Sequence, residues 1–236
     1  MNKYVDFVSD EDFIKCVEHV VDAYSSSKKI KNSIELLQES ENTIDEFKTL
    51  FDVCVTKVSF DEWSNFELVR QNDKTINNKI GEFHQELLGH VDGWVDLGIG
   101  DETEIDLKKE DNSIFIELKN KYNTMNSSST KTCREKLENV IEKYPNATAY
   151  WAYVINKNYK SEEKIWKYHG REDERIRRIS GDKLYEMITG DSQALEKVFN
   201  AIPEAIVDLL NEDYELSQAD KKIMDKYKQY IFHKLE

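Results

Sequence analysis

Two acids and a lysine near the middle of the chain have the types and spacing of a catalytic site. Asp106 lies in the segment Glu104-Ile-Asp-Leu-Lys-Lys109, and Glu117 and Lys119 lie in Ser113-Ile-Phe-Ile-Glu-Leu-Lys119. Paired carboxylates suit Mg²⁺, which takes one or two of them together with waters and phosphate oxygens. A nearby lysine can orient or deprotonate an attacking water and offset the charge of a phosphorane. The three side chains predict phosphodiester hydrolysis.

Strand pairing would bring the three side chains together. Both segments alternate between polar and apolar residues, and a two-residue loop at Asp111-Asn112 pairs residues whose numbers sum to 223. Asp106 then lies directly opposite Glu117 and Lys119 shares their face, because opposed and alternate residues project to the same side. The other face collects Ile105, Leu107, Ile114, Ile116 and Leu118. We expect one face to pack on a core and the other to present the polar group.

An ordinary solvated strand face is the competing interpretation. The pattern acid-x-Lys begins at five places, which are Glu46, Asp106, Glu117, Glu162 and Asp220. The tripeptide alone is therefore uninformative. Only at Glu117 does it coincide with an apolar opposite face and an acid on the neighbouring strand, and on the residue pattern alone a solvated strand face and a metal site both stay open. Asp96 and Asp101 are rival first acids, and the predicted pairing favours Asp106.

The elements that must position these residues follow from hydrophobic periodicity. Helical spacing predicts helices over 10–24, over about 34–51, from a Ser59-x-x-Glu62 capping box through Val69, and over 76–91. At Gly93 the period changes to that of strands, and later helices are predicted from a Thr132-x-x-Glu135 capping box to before Pro145 and over 182–189, 191–209 and 218–234. Further strands are predicted at 94–98, 147–156, 164–169 and 174–180.

Length and composition favour one compact domain. The chain has 236 residues, 39% of them hydrophobic, with only 8 Gly and 2 Pro and no linker-like stretch. We expect a single domain over 1–236, with a mainly helical part at 1–91, a core at 92–190 and C-terminal helices at 191–236. No apolar segment is long enough for a membrane span or a signal peptide, so a cytoplasmic protein without a membrane partner is expected. Three scattered cysteines offer neither a disulfide framework nor a zinc site.

The net charge of −14 argues against a nucleic-acid partner, but the charge is unevenly distributed. Residues 119–186 hold 15 Lys and Arg against 10 Asp and Glu. Polar and basic residues after Lys119 could contact phosphates, although an ordinary capped loop has the same composition. A second basic segment could read bases, unless Glu172, Asp173 and Glu174 pair with it. The candidate DNA contacts are Lys121, Asn123, Thr124, Lys131, Arg134, Lys164, Arg171, Arg175 and Arg177.

At Asp106, Glu117 and Lys119 the chain resembles the PD-(D/E)xK nuclease superfamily, whose motif is an acid followed, after a spacer, by acid-x-Lys on a neighbouring strand. Here ten residues separate the two acids, and Ile105 replaces the proline of the motif's name. The stretches 80–94, 104–129 and 179–190 are similar to type II restriction endonucleases that read GGNCC-like sites. The resemblance does not cover the N-terminal helices or the C-terminal tail.

This resemblance implies a mixed α/β fold of restriction-endonuclease type, with a central mixed sheet and a catalytic hairpin flanked by helices, plus an N-terminal helical region. It implies Asp106 and Glu117 as ligands of Mg²⁺, replaceable by Mn²⁺, and Lys119 as the catalytic lysine. Glu82 matches a helical glutamate that many members add as a ligand, though a solvated helix face explains it equally well.

The implied function is cleavage of double-stranded DNA at a short GC-rich palindrome. A homodimer is expected because a palindrome has two-fold symmetry, and a DNA methyltransferase is expected as the genetic partner, not as a bound subunit. The alternatives are a nuclease-like module that only binds DNA or protein and, less favoured, an acidic protein that mimics nucleic acid.

Overall fold

A computed structural model describes residues 2–25, 43–98, 100–211 and 217–233. Within these ranges a six-stranded mixed sheet is accompanied by seven α-helices. The strands are β1 (Trp94–Asp96), β2 (Leu107–Lys109), β3 (Ile114–Lys121), β4 (Thr148–Ile155), β5 (Glu163–Ile165) and β6 (Ile176–Ser180). The helices are α1 (Asp10–Ser25), α2 (Glu46–Thr56), α3 (Phe60–Gly89), α4 (Ser127–Lys143), α5 (Gly181–Thr189), α6 (Ala194–Leu210) and α7 (Gln218–Lys228), and a π-helical turn (Gln229–His233) follows α7.

The strand order is β1-β2-β3-β4-β6-β5. The two central pairs, β3 with β4 and β4 with β6, are parallel, and the pairs toward both edges are antiparallel. The crossover from β3 to β4 is made by α4, as a parallel connection requires. The predicted α/β class with a central mixed sheet flanked by helices is confirmed.

The hairpin has the predicted register. Leu107 pairs with Ile116 and Lys108 with Phe115, so paired numbers sum to 223. The turn is closed by the Asn112 amide, which donates to the Lys109 carbonyl oxygen at 2.9 Å, and Asn112 adopts the left-handed conformation at φ 57°. Asparagine tolerates this conformation better than most residues. Strand β2 begins only at Leu107, so it is shorter than the predicted strand, which began at Glu104.

Both faces of the central strands are covered, which corrects the expectation of an open polar face. The face that carries Phe115 and Glu117 packs against α4 in a core of buried side chains. Ile105 joins this core, not the face of Leu118 as predicted, because Glu104 has a positive φ of 54° and interrupts the strand alternation. A central strand of a parallel sheet flanked by helices is buried on both sides.

Two predicted helix boundaries are wrong. The helices expected at 59–69 and 76–91 form the single helix α3, because no glycine or proline interrupts the chain between them. Helix α4 begins at Ser127, where the Asn126 side chain accepts from the Ser129 amide at 2.9 Å, so Thr132 does not cap it. The first half of the helix expected over about 34–51 lies outside the described residues, and α2 accounts for its last part.

The chain divides into two compact units. One comprises Met1–Glu18 and Gly81–Glu236 and contains the whole sheet, and the other is His19–Ile80. In the second unit the Trp63 indole donates to Asp52 at 3.2 Å, and the buried Glu67 carboxylate accepts from Arg70 Nε at 2.8 Å. Among the described residues, none of the helices is long and apolar enough to cross a membrane.

Helix α5 begins in direct contact with β4. A Cβ atom at Gly181 would lie 2.4 Å from the Val154 carbonyl oxygen. Gly181→Ala is therefore expected to lower the free energy of unfolding by about 1–3 kcal/mol through overpacking. Gly81→Ala is the matched control, because the nearest atom to its Cβ would be Asn120 Cβ at 3.9 Å. Urea denaturation would measure both changes, and a Gly181 variant as stable as the Gly81 variant would contradict this contact.

Candidate active site

The hairpin brings Asp106, Glu117 and Lys119 together. Lys119 Nζ lies 2.8 Å from Glu117 Oε1 and 3.6 Å from Asp106 Oδ2. Lys119 follows Glu117 by two residues on β3, and Asp106 immediately precedes β2. The ammonium group thus bridges carboxylates from two neighbouring chain segments, as the sequence pairing predicted.

Asp106 is held in place by the main chain of β3. Its Oδ2 accepts a hydrogen bond from the Leu118 amide at 2.6 Å. Asp106 lies just outside β2, which begins at Leu107. Its carboxylate, not a main-chain carbonyl of a paired strand, therefore accepts the hydrogen bond from this amide. Burial raises the pKa of Asp106, the neighbouring Glu117 raises it further, and Lys119 and the Leu118 amide offset only part of this. An acid in this environment is stabilised by a bound cation.

Glu117 is the most deeply buried of the three side chains, with 4% of its surface exposed. Its Oε1 faces Lys119 and also lies 3.8 Å from Lys136 Nζ on α4. Its Oε2 is buried without a hydrogen-bond partner among the described residues. A buried carboxylate oxygen without a donor is unfavourable, because it loses its hydrogen bonds to water on burial and forms none within the protein. This oxygen is available to a cation or an ordered water.

Lys119 carries its charge in this environment. Burial alone would lower the pKa of Lys119, but the carboxylates of Asp106 and Glu117 outweigh burial and raise the pKa above its ordinary value. Lysine is an ammonium donor in this state, with three N–H groups and no lone pair to accept a proton. The geometry therefore favours the orienting and charge-offsetting role over the role of a general base.

Two supporting residues were missed as site residues. Gln85 of α3 donates from Nε2 to Asp96 Oδ1 at 2.7 Å and to the Asp106 carbonyl oxygen at 3.4 Å. Lys136 of α4 donates to the Glu104 carbonyl oxygen at 2.9 Å and faces Glu117. Gln85 follows Glu82 by three residues and so lies near it on the helix surface, and this spacing was the only sequence pattern that pointed to it.

Glu82 lies on α3, three residues before Gln85, and its role as a third ligand stays a prediction. In the described part of the chain, no cluster of three His, Cys, Asp or Glu residues is placed to hold a metal ion. Next to Glu82, Gly81 lies against Asn120, which points away from the face of Lys119 by strand alternation. Of the rival first acids, Asp96 accepts from Gln85 and Asp101 accepts from the Thr103 amide at 2.8 Å. Neither replaces Asp106 beside Lys119.

Arg134 must be removed from the predicted DNA contacts. Its residue is 1% exposed, its Nε pairs with Glu138 Oε1 at 2.9 Å, and its guanidinium donates to the Trp166 carbonyl oxygen and lies over the Trp166 ring. Its Nε and Nη1 donors are used inside the protein, by Glu138 of α4 and by Trp166, which follows β5. The sequence pattern could not separate this arginine from the exposed lysines near it.

The second basic segment is largely paired with acids, but only Asp173 and Glu172 come from the local trio named by the alternative interpretation. Arg175 binds Asp173 through two nitrogens, at 2.7 and 3.0 Å, and donates to the Pro145 carbonyl oxygen. Arg177 Nε pairs with Glu163 at 2.8 Å, and Arg171 pairs with Glu138 at 2.6 Å. Arg175 lies immediately before β6, and its carbonyl oxygen accepts from the Ala149 amide of β4 at 2.8 Å. Base reading by these arginines would require the pairs to open.

The remaining predicted contacts lie around the end of β3 and the start of α4, except Lys164 on β5. Lys121 ends β3, Asn123 is exposed, and Thr124 donates to the Lys121 carbonyl oxygen at 3.0 Å. Lys131 is exposed on α4 and lies 3.6 Å from Glu135. Lys164 Nζ lies 2.7 Å from Glu162 Oε2. The polar loop is thus accessible, whereas the candidate arginines are engaged.

Three groups converge on Glu162. Its Oε1 accepts from the Tyr153 hydroxyl at 2.7 Å, and its Oε2 pairs with Lys164 and, at 3.7 Å, with Lys160. Burial on its own would raise the pKa of Glu162, but Lys164 and Tyr153 lower it to about 2.

Glu162→Gln is expected to lower the free energy of unfolding by about 2 kcal/mol at neutral pH. Because the folded-state pKa lies below the ordinary value of 4.5, the contribution is present above that value and is lost as the pH falls through about 2. The difference in free energy of unfolding between wild type and variant, measured by urea denaturation, should therefore become smaller as the pH is lowered. Glu172→Gln is the control, because Glu172 forms an exposed pair with Lys167, and it should leave the free energy of unfolding almost unchanged. If the effect of Glu162→Gln did not depend on pH, the lowered pKa of Glu162 would be contradicted.

The fold and the site define the class. A mixed sheet with a catalytic-type hairpin, two acids and a lysine is the arrangement of a restriction-endonuclease-like nuclease. The family model described as Eco47II restriction endonuclease matches residues 5–211. The type II restriction enzyme Sau96I from Staphylococcus aureus is 35% identical over 219 residues, covering 88% of this chain and 81% of the relative. The type II restriction enzyme Eco47II from Escherichia coli is 36% identical over 236 residues, covering 94% of each.

The chain therefore belongs to the Eco47II restriction endonuclease family, and it is a type II restriction endonuclease. This confirms the enzyme interpretation over the binding-only module.

Proposed function

We propose that this protein hydrolyses phosphodiester bonds of double-stranded DNA with Mg²⁺ at a short, GC-rich, GGNCC-like palindrome, using Asp106, Glu117 and Lys119. The observation that carries the proposal is the Lys119 ammonium between two carboxylates, one of which has a buried oxygen without a donor. The similarity of segments 80–94, 104–129 and 179–190 to enzymes that read GGNCC-like sites supports the choice of sequence.

The residues present fit Mg²⁺. The two carboxylates supply the one or two protein ligands that this ion commonly takes, and phosphate oxygens and waters complete its shell. Asp106 and Glu117 would hold it, and Mn²⁺, which prefers the same oxygen ligands, should replace it. When bound, the ion lowers the pKa of a water ligand and neutralises charge on the phosphate. Glu82, three residues before Gln85 on α3, stays the proposed third ligand that the family resemblance implies.

The protein's own residues have distinct tasks. The Leu118 amide fixes the Asp106 carboxylate, and Gln85 supports the main chain at the same residue. Lys119 donates hydrogen bonds from a fixed position between the acids, where it can orient the attacking water and stabilise negative charge that develops on the phosphate. Lys136 lies behind Glu117 and offsets part of its charge.

DNA would contact the accessible polar loop and its flanks. We propose Lys121, Asn123, Thr124 and Lys131 as phosphate contacts, because the first three closely follow Lys119, Lys131 lies near the start of α4, and all four are exposed. Lys164, Arg171, Arg175 and Arg177 remain candidates only if their acid partners release them. A homodimer is proposed from the symmetry of a palindrome, and a methyltransferase that modifies the same sequence is the expected genetic partner.

Metal dependence tests this proposal. Plasmid incubated with the protein and Mg²⁺ or Mn²⁺ should give discrete fragments, whereas EDTA should abolish cleavage and Ca²⁺ should support binding without cleavage. A phosphate is repelled by the two carboxylates unless a cation lies between them. The rate of cleavage should therefore fall by more than about a hundredfold when the metal ion is removed. Full cleavage in EDTA would contradict the role of the acid pair. Binding without cleavage under every metal condition would contradict the proposed hydrolysis.

A further inference from the structure

Arg178 differs from the other arginines of its segment. The three arginines considered above each pair with an acid, whereas Arg178 forms no ion pair with any residue that the structure describes. Its guanidinium lies instead 5.7 Å from the centre of the Trp151 ring, a cation–π contact that holds it against the sheet. The charge of Arg178 is therefore available to a ligand, and phosphate is the group that arginine binds best.

Arg178 lines a cavity of about 330 Å³ beside strands β4, β5 and β6, which we call the β4–β6 cavity. Its lining contains one carboxylate, that of Glu162, and four cationic side chains, those of Lys157, Lys160, Lys164 and Arg178. The formal charge of the lining is thus +3, in a chain whose net charge is −14. Such a local excess of positive charge attracts an anion.

Glu162 does not neutralise this excess. Its Oε2 lies 2.7 Å from Lys164 Nζ and 3.7 Å from Lys160 Nζ, so one carboxylate serves two lysines. Like Arg178, Lys157 has no acid partner in the part of the chain that the structure describes, and it is exposed. Lys157 and Arg178 are therefore the cations of the β4–β6 cavity that a ligand can use without breaking an existing ion pair.

The β4–β6 cavity lies on the same face of the sheet as the acid pair and Lys119. Lys119 is paired in register with Tyr153, which belongs to the lining. Glu117 is paired with Trp151, and Trp151 with Arg178. Residues paired in register project to one face, and neighbouring strands are about 4.8 Å apart. The backbone of Arg178 is therefore about 10 Å from that of Glu117.

The DNA backbone supplies anions at this separation. Successive nucleotides of one strand rise by about 3.4 Å, so about 10 Å corresponds to about three nucleotides. A DNA strand whose scissile phosphate lies at Lys119 thus has further phosphates within reach of Arg178. Contacts of this kind fix the position of the duplex without reading its sequence.

We propose that the β4–β6 cavity binds a phosphate of the DNA backbone near the scissile phosphate, with Arg178 and Lys157 as its direct contacts. Lys160 and Lys164 remain on Glu162 and add positive charge around the phosphate. Arg178 is then a positioning residue, because it holds the strand and does not touch the reacting atoms. This proposal rests on the proposed function, since it needs DNA on the face of Lys119.

The salt dependence of DNA binding tests the proposal. A duplex with the cleavage site is titrated in Ca²⁺ at several salt concentrations. Arg178→Gln and Lys157→Gln should each weaken binding about tenfold at low salt and reduce the slope of log K against log salt by about one. Lys183→Gln is the control, because Lys183 pairs with Glu186 at 2.7 Å and does not line the cavity. It removes the same charge and should change neither quantity.

Duplexes with one neutral phosphate locate the contact. Each phosphate near the cleavage position is replaced in turn by an uncharged methylphosphonate. Wild-type protein should lose affinity about tenfold at one position within about three nucleotides of the cleaved bond. Arg178→Gln should lose almost nothing more at that position, because the same contact cannot be removed twice.

Glu162→Gln provides a change of the opposite sign. It removes the one carboxylate of the lining, so DNA binding should tighten at least about twofold and the salt slope should increase. The same variant is expected to be less stable, as argued above. A folding defect lowers affinity, so tighter binding by a destabilised variant reports the charge of the β4–β6 cavity.

The possible outcomes separate the two proposals. If wild-type protein cleaves DNA at a defined site but Arg178→Gln and Lys157→Gln keep its affinity and salt slope, the cavity proposal is overturned and the proposed function stands. If these variants relax the choice of sequence with an unchanged slope, the cavity contacts a base and the phosphate proposal fails. If inorganic phosphate binds through Arg178 but no methylphosphonate position shows the coupling, the cavity holds a free anion and the proposal again fails. If the wild type neither binds nor cleaves any duplex, the proposed function itself fails.

Discussion

Lys119→Met is expected to reduce the rate of DNA cleavage by roughly 10²–10⁴-fold while leaving DNA binding in Ca²⁺ close to wild type. Methionine preserves the length of the side chain but donates no hydrogen bond. The ammonium between Asp106 and Glu117 would be absent, so the attacking water would lose its donor and the developing charge would lose its nearest cation. Single-turnover cleavage of a plasmid measures this effect without interference from product release.

The sequence provides a matched control. Lys108 belongs to the same tripeptide pattern, as Asp106-Leu107-Lys108, yet its Nζ donates to Asn112 Oδ1 at 2.8 Å in the hairpin turn. Lys108→Met should therefore cleave at nearly the wild-type rate. Equal losses in the two variants would show that the hairpin tolerates no change of charge, and an unaffected Lys119 variant would remove this lysine from the mechanism.

Glu117→Gln should have the second large effect. The amide of glutamine has one acceptor oxygen and no charge, so it can neither bridge to Lys119 as strongly nor hold a cation through the oxygen that lacks a donor. Groups that only support a metal ligand change affinity by about 10–100-fold, so loss of a ligand should weaken Mn²⁺ binding by more than about a hundredfold. Cleavage should become undetectable at the Mg²⁺ concentration that saturates the wild type.

Calorimetric titration with Mn²⁺ separates this prediction from a folding defect. Glu135→Gln is the control, because Glu135 is half-exposed on α4 and pairs with Lys131 at 3.6 Å. That variant should bind Mn²⁺ and cleave DNA as the wild type does. If Glu117→Gln retained both properties, Glu117 would be a buried structural acid and the proposed ligand pair would be wrong.

The sequence predicted the hairpin and its register because both depend on local rules. Period-two alternation sets the faces, and the Asp111-Asn112 turn sets the pairing, so Asp106 and Glu117 could be brought together without any tertiary information. The change of period at Gly93 predicted a β-rich centre between helices, and the family resemblance implied the mixed α/β fold. The prediction that residues 1–236 form a single domain with three parts stays a proposal.

Properties that depend on distant contacts were not predictable in this way. Arg134 and the exposed lysines near it have the same residue class, and only the packing of α4 on Trp166 buries one of them. The burial of Glu117 also follows from a helix that covers the sheet face. The β4–β6 cavity combines residues from three strands, so its excess of positive charge becomes apparent only when β4, β5 and β6 are paired.

The most direct test of the central claim is to digest a sequenced plasmid with the protein and Mg²⁺ and to sequence the fragment ends. The account predicts discrete fragments whose ends all fall at one fixed position in a GGNCC-like palindrome, with no such ends when Lys119→Met replaces the wild type. Random ends, ends at an unrelated sequence, or the same ends from the Lys119 variant would contradict it.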